Sequence, residues 1–285
     1  MNSTVFEAVI ALAQQAGSCI LPYWRTGLQV QEKSDASPVT AADMAAHQCI
    51  LSGLRALDPS IPVLSEEDCS IPLHERQHWT RWWLVDPLDG TKEFIQGSEE
   101  FTVNIALIEQ GQAVWGVVGL PAKQAYYYGG SLQQAAWYCS PTERHALKIP
   151  VQPHTLGPSS IIASRRHTNP AQEQLLHLIQ ETLGTPELRS AGSSLKFCLV
   201  AEGQVECYPR LSPTAQWDTA AAQAVLEGAG GVVLTLDGSP LTYEARQDFI
   251  NPAFLALPAK APWRDQILAL ACSSQSFATA AQSKH

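Results

Sequence analysis

Asp86 and Asp89 stand three residues apart in the stretch 82–94, WWLVDPLDGTKEF. Two carboxylates brought that close repel each other, and a divalent cation is the usual reason to hold them together. Gly90 follows and permits a backbone conformation that other residues resist. Thr91 suits the start of a short helix, whose open N–H groups favour an anion. A metal and a phosphate could therefore meet at this turn. An Asp-rich turn with Thr91 as a helix cap explains the same residues more simply. The other acids of the chain decide between the two readings.

Those acids fall on separate elements. Residues 82–85 form an apolar run that reads as a buried strand, expected to stop at Asp86 because Pro87 fixes φ and lacks a donor. Asp43 lies in the first turn of a helix that begins near Thr40, where it either closes a capping box with Thr40 or serves a site at the open helix end. A short strand at 61–64 runs into Ser65-Glu66-Glu67-Asp68, an acidic run that is either a solvated turn or a place where one acid turns inward to a cation. Asp218 heads an Ala-rich helix, as a cap or as a further ligand. Ser193 opens another helix with Lys196 on its first turn, and Arg210 ends the strand after it. The simplest reading of Lys196 and Arg210 is a pair of solvated basic groups.

The remaining patterns give the scaffold. Helical spacing marks 4–21, and then 40–57 with Met44, Ile50 or Leu51, Leu54 and Leu57 on its apolar face. Residues 101–109 and 112–120 read as a hairpin around Gln110-Gly111, with further strands at 125–128 and 135–138. A Pro- and Gly-rich stretch at 149–159 suggests a domain boundary. Beyond it strands at 161–164, 187–191, 205–208 and 232–236 alternate with helices at 170–183, 193–201 and 217–227, an α/β pattern. The expected division is an N-terminal α+β domain, 1–150, and a C-terminal α/β domain, 151–285, with a disordered polar tail from about 273.

The 285 residues carry a net charge of −9, which argues against a partner that is a nucleic-acid polymer but allows a phosphorylated small molecule if metal ions supply local positive charge. Seven cysteines without a CxxC pair read as buried thiols of a reducing compartment. The N-terminus carries Glu7 and no basic region, unlike a signal peptide, and no apolar run reaches the length of a membrane span. A cytoplasmic location is expected, with peripheral attachment at the inner membrane compatible with it. Oligomeric state is not legible.

With LSEED, WLVDPLDGTKEF and WDTAAA in that order, the chain resembles the inositol monophosphatase superfamily, the lithium-sensitive, magnesium-dependent phosphatases, over about 4–270. VTAAD, LSEED, DPLDGTKEF and GSSLKFCLVAEGQ look most similar to its bacterial 3′(2′),5′-bisphosphate nucleotidases of the CysQ type. The resemblance implies the layered α/β sandwich of the sugar phosphatases and two or three Mg2+ ions. It implies that Glu66, Asp86, the Leu88 carbonyl, Asp89 and Asp218 ligate metal. Thr91 and Asp43 would orient the attacking water with Glu66 nearby, and the Gly90 and Thr91 N–H groups would hold phosphate oxygens. Ser193, Lys196 and Arg210 would hold the ribose and 5′-phosphate. The implied reaction removes the 3′-phosphate of adenosine 3′,5′-bisphosphate, a by-product of sulfate assimilation. The alternatives are an inositol monophosphatase or sugar bisphosphatase of the same superfamily, or a non-catalytic metal- or nucleotide-binding protein.

Overall fold

A computed structural model describes residues 3–25, 30–32, 38–150, 156–164 and 169–282. Chain order runs α1 (Ser3–Ile20), β1 (Val30–Glu32), β2 (Pro38–Thr40), α2 (Ala41–Leu57), β3 (Val63–Ser65), the one-turn α3 (Leu73–Arg76), β4 (Arg81–Asp89) and α4 (Thr91–Ile95). It continues through β5 (Thr102–Glu109), β6 (Gln112–Leu120), β7 (Ala125–Gly130), β8 (Ala135–Cys139), β9 (Arg144–Leu147), β10 (Ser160–Ser164), α5 (Pro170–Leu183) and β11 (Glu187–Ala191). Last come α6 (Leu195–Ala201), β12 (Tyr208–Arg210), α7 (Ala220–Gly228), β13 (Gly231–Thr235), β14 (Phe254–Pro258) and α8 (Arg264–Gln282).

Strands β3 to β9 form one sheet in sequence order. Only the β3–β4 pair is parallel; the rest is antiparallel. Alternation along β4 and β5 splits their side chains between two faces. Trp83, Val85, Ile105 and Leu107 pack with Phe6 and Val9 of α1 and Ile50 and Leu54 of α2, and the Phe6 ring stacks on Trp115 at 4.6 Å. Trp82, Leu84, Ala106 and Ile108 face the other way, into a core shared with Phe197 of α6, Ala221 and Val225 of α7, and Tyr208, Val233 and Phe254 of a second sheet. That sheet pairs β10 with β11 and β12-β14-β13, the two parts joined by a bridge from Ile161 to Cys207. Leu175 and Ile179 of α5 and Ile267 of α8 close its far side over Leu255 and Leu257. The result is the expected layered α/β sandwich, helix–sheet–helix–sheet–helix.

Several expectations change. The strand does not stop at Pro87: β4 runs on to Asp89, with a register shift between Asp86 and Asp89 that accommodates a residue unable to donate. Met44 and Leu57 are each 39% exposed, because the face that continues back from Leu54 and Ile50 passes through His47, Ala46 and Asp43. Pattern reading also missed β9, β14 and α8. The stretch from 273, expected to be disordered, is helical to Gln282, and the Ser273 and Ser274 hydroxyls bond back to carbonyls of the same helix. Of the cysteines only Cys198 and Cys207 are buried, and Cys69 and Cys272 are exposed. The segment Ser3–Tyr23 is in fact long and apolar enough by composition to cross a membrane, yet here α1 buries Phe6, Val9, Ala13 and Ile20 against the sheet.

The helix α7, which follows Asp218, lies unusually close to β6. A Cβ at Gly116 would stand 2.4 Å from the Ala221 carbonyl oxygen. Gly116→Ala should therefore cost about 1–3 kcal/mol through overpacking, lowering the melting temperature by roughly 2 °C or more. An unchanged thermal melt would mean that α7 can back away from the sheet freely.

Candidate active site

The tip of β4 brings several site residues into one turn. Asp86 and Leu88 are each 1% exposed, and the Leu88 N–H donates to Asp86 Oδ1 at 3.0 Å. Gly90 has φ +88°, the left-handed conformation expected of it, and lets the chain pass close to the Glu100 carbonyl and to Ser193, whose Cβ would lie 3.4 Å from a Cβ at Gly90. Thr91 opens α4 and its Oγ1 donates to the Leu88 carbonyl at 3.2 Å.

Three more stretches deliver acids to this turn. Asp43 is buried in the first turn of α2; the Thr40 side chain needed for a capping box lies outside the described residues. Glu66 follows β3, its N–H donating to the Val85 carbonyl at 3.1 Å. Asp218 precedes α7 and accepts the Ala215 N–H at 2.9 Å. Burial pushes Asp86 well above the usual carboxylate range, and the charges of Glu66, Asp89, Asp218 and Asp43 push it further. Burial, with Asp89 and Glu66, pushes Asp218 up to about 8. Of the three adjacent acids, Glu66 is the one whose charge bears on both Asp86 and Asp218, while Glu67 and Asp68 bear on His47.

Among the described residues no three His, Cys, Asp or Glu side chains are already drawn together as a metal site. Asp89 and Asp218 each turn an oxygen to a backbone amide, of Ser194 and Ala215 respectively. The donor set nevertheless fits a hard divalent ion. Every donor is oxygen, and besides burial, Glu66, Asp89, Asp218 and Asp43 all raise the pKa of Asp86, which places four further carboxylates where one cation could serve them.

The two basic residues are not solvated. Lys196 is 5% exposed and donates to the Ala191 and Ser193 carbonyls, 5.4 Å above the Tyr208 ring. Burial lowers its pKa to about 8, against the opposing pull of Asp89. Arg210 is 8% exposed and donates to the Ser212 and Pro213 carbonyls at 3.1 and 3.0 Å. Both bear electrostatically on Asp89, so they adjoin the acids rather than forming a distant basic patch. Ser193 holds φ +51° above the turn.

A polar network under Asp89 escaped the pattern reading. Ser194 donates its N–H to Asp89, and its hydroxyl bonds Thr102 Oγ1 and Asn104 Oδ1, both at 2.8 Å. The sign of it was available: Thr102 and Asn104 alternate on the β5 face that continues with buried Ala106 and Ile108. Polar residues on a buried strand face need partners.

Asp218 fixes a pH dependence. Its folded pKa, about 8, lies above the unfolded value near 3.8. Between these the folded state holds a proton that the unfolded state has lost, so stability of the metal-free protein falls as pH rises through that window. Asp218→Asn should raise the melting temperature in chelator at pH 8 and change it little at pH 4. Calorimetry at both pH values checks this, and a lower melting temperature at pH 8 would contradict the repulsion.

The inositol monophosphatase family profile matches residues 1–274. The 3′(2′),5′-bisphosphate nucleotidase CysQ of Salmonella typhimurium is 48% identical over 253 residues, covering 88% of this chain and 98% of that protein. The protein of the same name from Escherichia coli K12 is 47% identical with the same coverage. The solved CysQ of Bacteroides thetaiotaomicron, a bacterial member of the inositol monophosphatase family, aligns with TM-score 0.76 and 35% identity over 90% of this chain and 97% of that one. An inositol monophosphatase of Thermotoga maritima shares the fold, with TM-score 0.71 and 20% identity over 96% of this chain and 98% of that one. These matches run over nearly the whole chain, and the chain belongs to the inositol monophosphatase family, as a member of the CysQ type.

Proposed function

We propose that this protein is a metal-dependent phosphatase, a 3′(2′),5′-bisphosphate nucleotidase that hydrolyses the 3′-phosphate of adenosine 3′,5′-bisphosphate to AMP and phosphate. The observation that carries this reading is the convergence of Glu66, Asp89, Asp218 and Asp43 on Asp86, each bearing on its charge, in a chain 48% identical to a nucleotidase of that name. Mg2+ is the ion that an all-oxygen site of this kind prefers.

Glu66, Asp86, Asp89, Asp218 and the Leu88 carbonyl would hold the ions, two or three in number. When bound, they supply Lewis acidity toward the phosphoryl oxygens and toward water. The Thr91 hydroxyl, now on the Leu88 carbonyl, would turn with Asp43 to orient the attacking water. The Gly90 and Thr91 N–H groups, at the open start of α4, would hold phosphate oxygens. Ser193, beside Gly90, would contact the ribose, and Lys196 and Arg210 would offset the second phosphate from below the acids. Because both cations already donate to backbone carbonyls, their part is electrostatic until the 5′-phosphate draws Arg210 away from Ser212 and Pro213.

Steady-state kinetics with Mg2+ should give a higher kcat/KM on adenosine 3′,5′-bisphosphate than on inositol 1-phosphate; the reverse order would hand the site to the inositol phosphatase reading. Arg210→Ala should lower kcat/KM on the bisphosphate by roughly one to two decades, the worth of a charge-assisted contact, and largely spare inositol phosphate. Equal losses on both would make Arg210 a structural residue.

Thr91→Ala should reduce kcat by roughly 10²–10⁴, the range for a positioned proton-handling group, while Mg2+ still protects the protein against thermal unfolding. A kcat close to that of the parent would remove Thr91 from the mechanism.

A further inference from the structure

His47 and Ser65 make a side-chain bond that the reaction scheme above does not use. His47 Nδ1 and Ser65 Oγ lie 2.9 Å apart, at 4% and 1% exposure. His47 sits one helical turn beyond Asp43, on the same buried face of α2. Ser65 is the last residue of β3 and directly precedes Glu66. Its carbonyl takes the Asp68 N–H at 3.0 Å, so Ser65 also anchors the turn that aims the acidic run. The bond therefore joins the helix carrying Asp43 to the strand end delivering Glu66.

Ladder bonds tie the strand end to β4, with Ser65 opposite Val85 and the Glu66 N–H on the Val85 carbonyl, but they do not set its distance from α2, and dispersion contacts have little directionality. A hydrogen bond has a preferred length and angle. Burial sharpens the preference, since a buried imidazole nitrogen and a buried hydroxyl each lose about 1–3 kcal/mol if left without a partner. The two elements are thus held at one spacing by a pair whose polar groups satisfy each other.

We propose that His47 and Ser65 are positioning residues for the metal site, their bond holding the Glu66 turn and the Asp43 helix at the separation that the divalent ions require. The inference rests on the phosphatase reading and on Glu66 as a ligand. Groups that bond metal ligands directly fix their direction, and their loss typically costs about 10–100-fold in metal affinity; this pair acts through the backbone of the Glu66 turn, which puts its effect near the lower end of that range.

Mn2+ binding to the full-length metal-free protein, read from the electron paramagnetic resonance of the free ion, tests this without turnover. Ser65→Ala and His47→Ala should each weaken Mn2+ binding by about tenfold or more, and the double variant no further than either alone. His47→Asn, whose amide can stand where Nδ1 stood, should recover most of the affinity. Ser65→Ala removes a single oxygen and serves if His47→Ala does not fold. Parent-like Mn2+ affinity in a folded Ser65→Ala protein, or losses that add in the double variant, would overturn the positioning role. Asp89→Asn is the control: if Mn2+ binding to the parent is absent or indifferent to it, the metal reading itself falls, and this inference with it.

Discussion

Repulsion among the carboxylates crowded around buried Asp86 is the constraint on which the rest of the structure depends. Asp86 has 1% of its surface exposed and feels Glu66, Asp89, Asp218 and Asp43. Charges so placed raise the free energy of the folded chain unless something offsets them. Three offsets are visible. Backbone amides of Leu88, Ser194 and Ala215 turn to the carboxylates. Two interior cations, Lys196 and Arg210, stand against Asp89. Protonation does the rest, as the raised pKa of Asp218 shows. Divalent ions would replace that last offset with a stronger one.

Each offset explains a feature of the fold. The bulge at the end of β4 frees the Leu88 amide for Asp86. The start of α6 must reach β5, and the Ser194–Thr102–Asn104 network ties it there. The strand β12 must present Arg210 on the face that also carries Tyr208, towards α6, so the second sheet lies where it can supply a cation to a site built mainly on the first. The glycine at 116 admits α7 to the sheet, bringing Asp218 with it. Polar residues that look incidental one at a time are thus consequences of one electrostatic problem.

Much of this was legible in the sequence because the site residues are local and specific. Asp86, Asp89, Gly90 and Thr91 lie within one turn, and the left-handed Gly90 followed from residue type alone. Periodicity found α5 and β11 with their observed limits. What was not legible depended on partners distant in sequence. Pro87 reads as a strand breaker, yet a register shift lets β4 continue past it. Lys196 and Arg210 read as solvated until the acids that surround them are known. His47 looks like an interruption of an apolar stripe, and only the fold places Ser65 beside it. Met44 has the residue type of a buried face but lies out of phase with the one that α2 buries, and it is 39% exposed.

The core on the inner face of the first sheet mixes Leu84, Ala106 and Val118 from before residue 150 with Phe197, Val225 and Phe254 from after it. The Ile149 amide, at the junction itself, donates to the Ala229 carbonyl at 3.0 Å. Each half has a core of its own, but this third one is complete only when both are present. Separating them would expose the apolar side of α7 and of the large sheet together, a cost that grows with the area uncovered. The Pro-rich stretch marks a change of topology along the chain, from the mostly antiparallel sheet to alternating strands and helices, while the core under the sheet runs across it. A disturbance in the second sheet then reaches the acids of the first through the side chains that both sheets share.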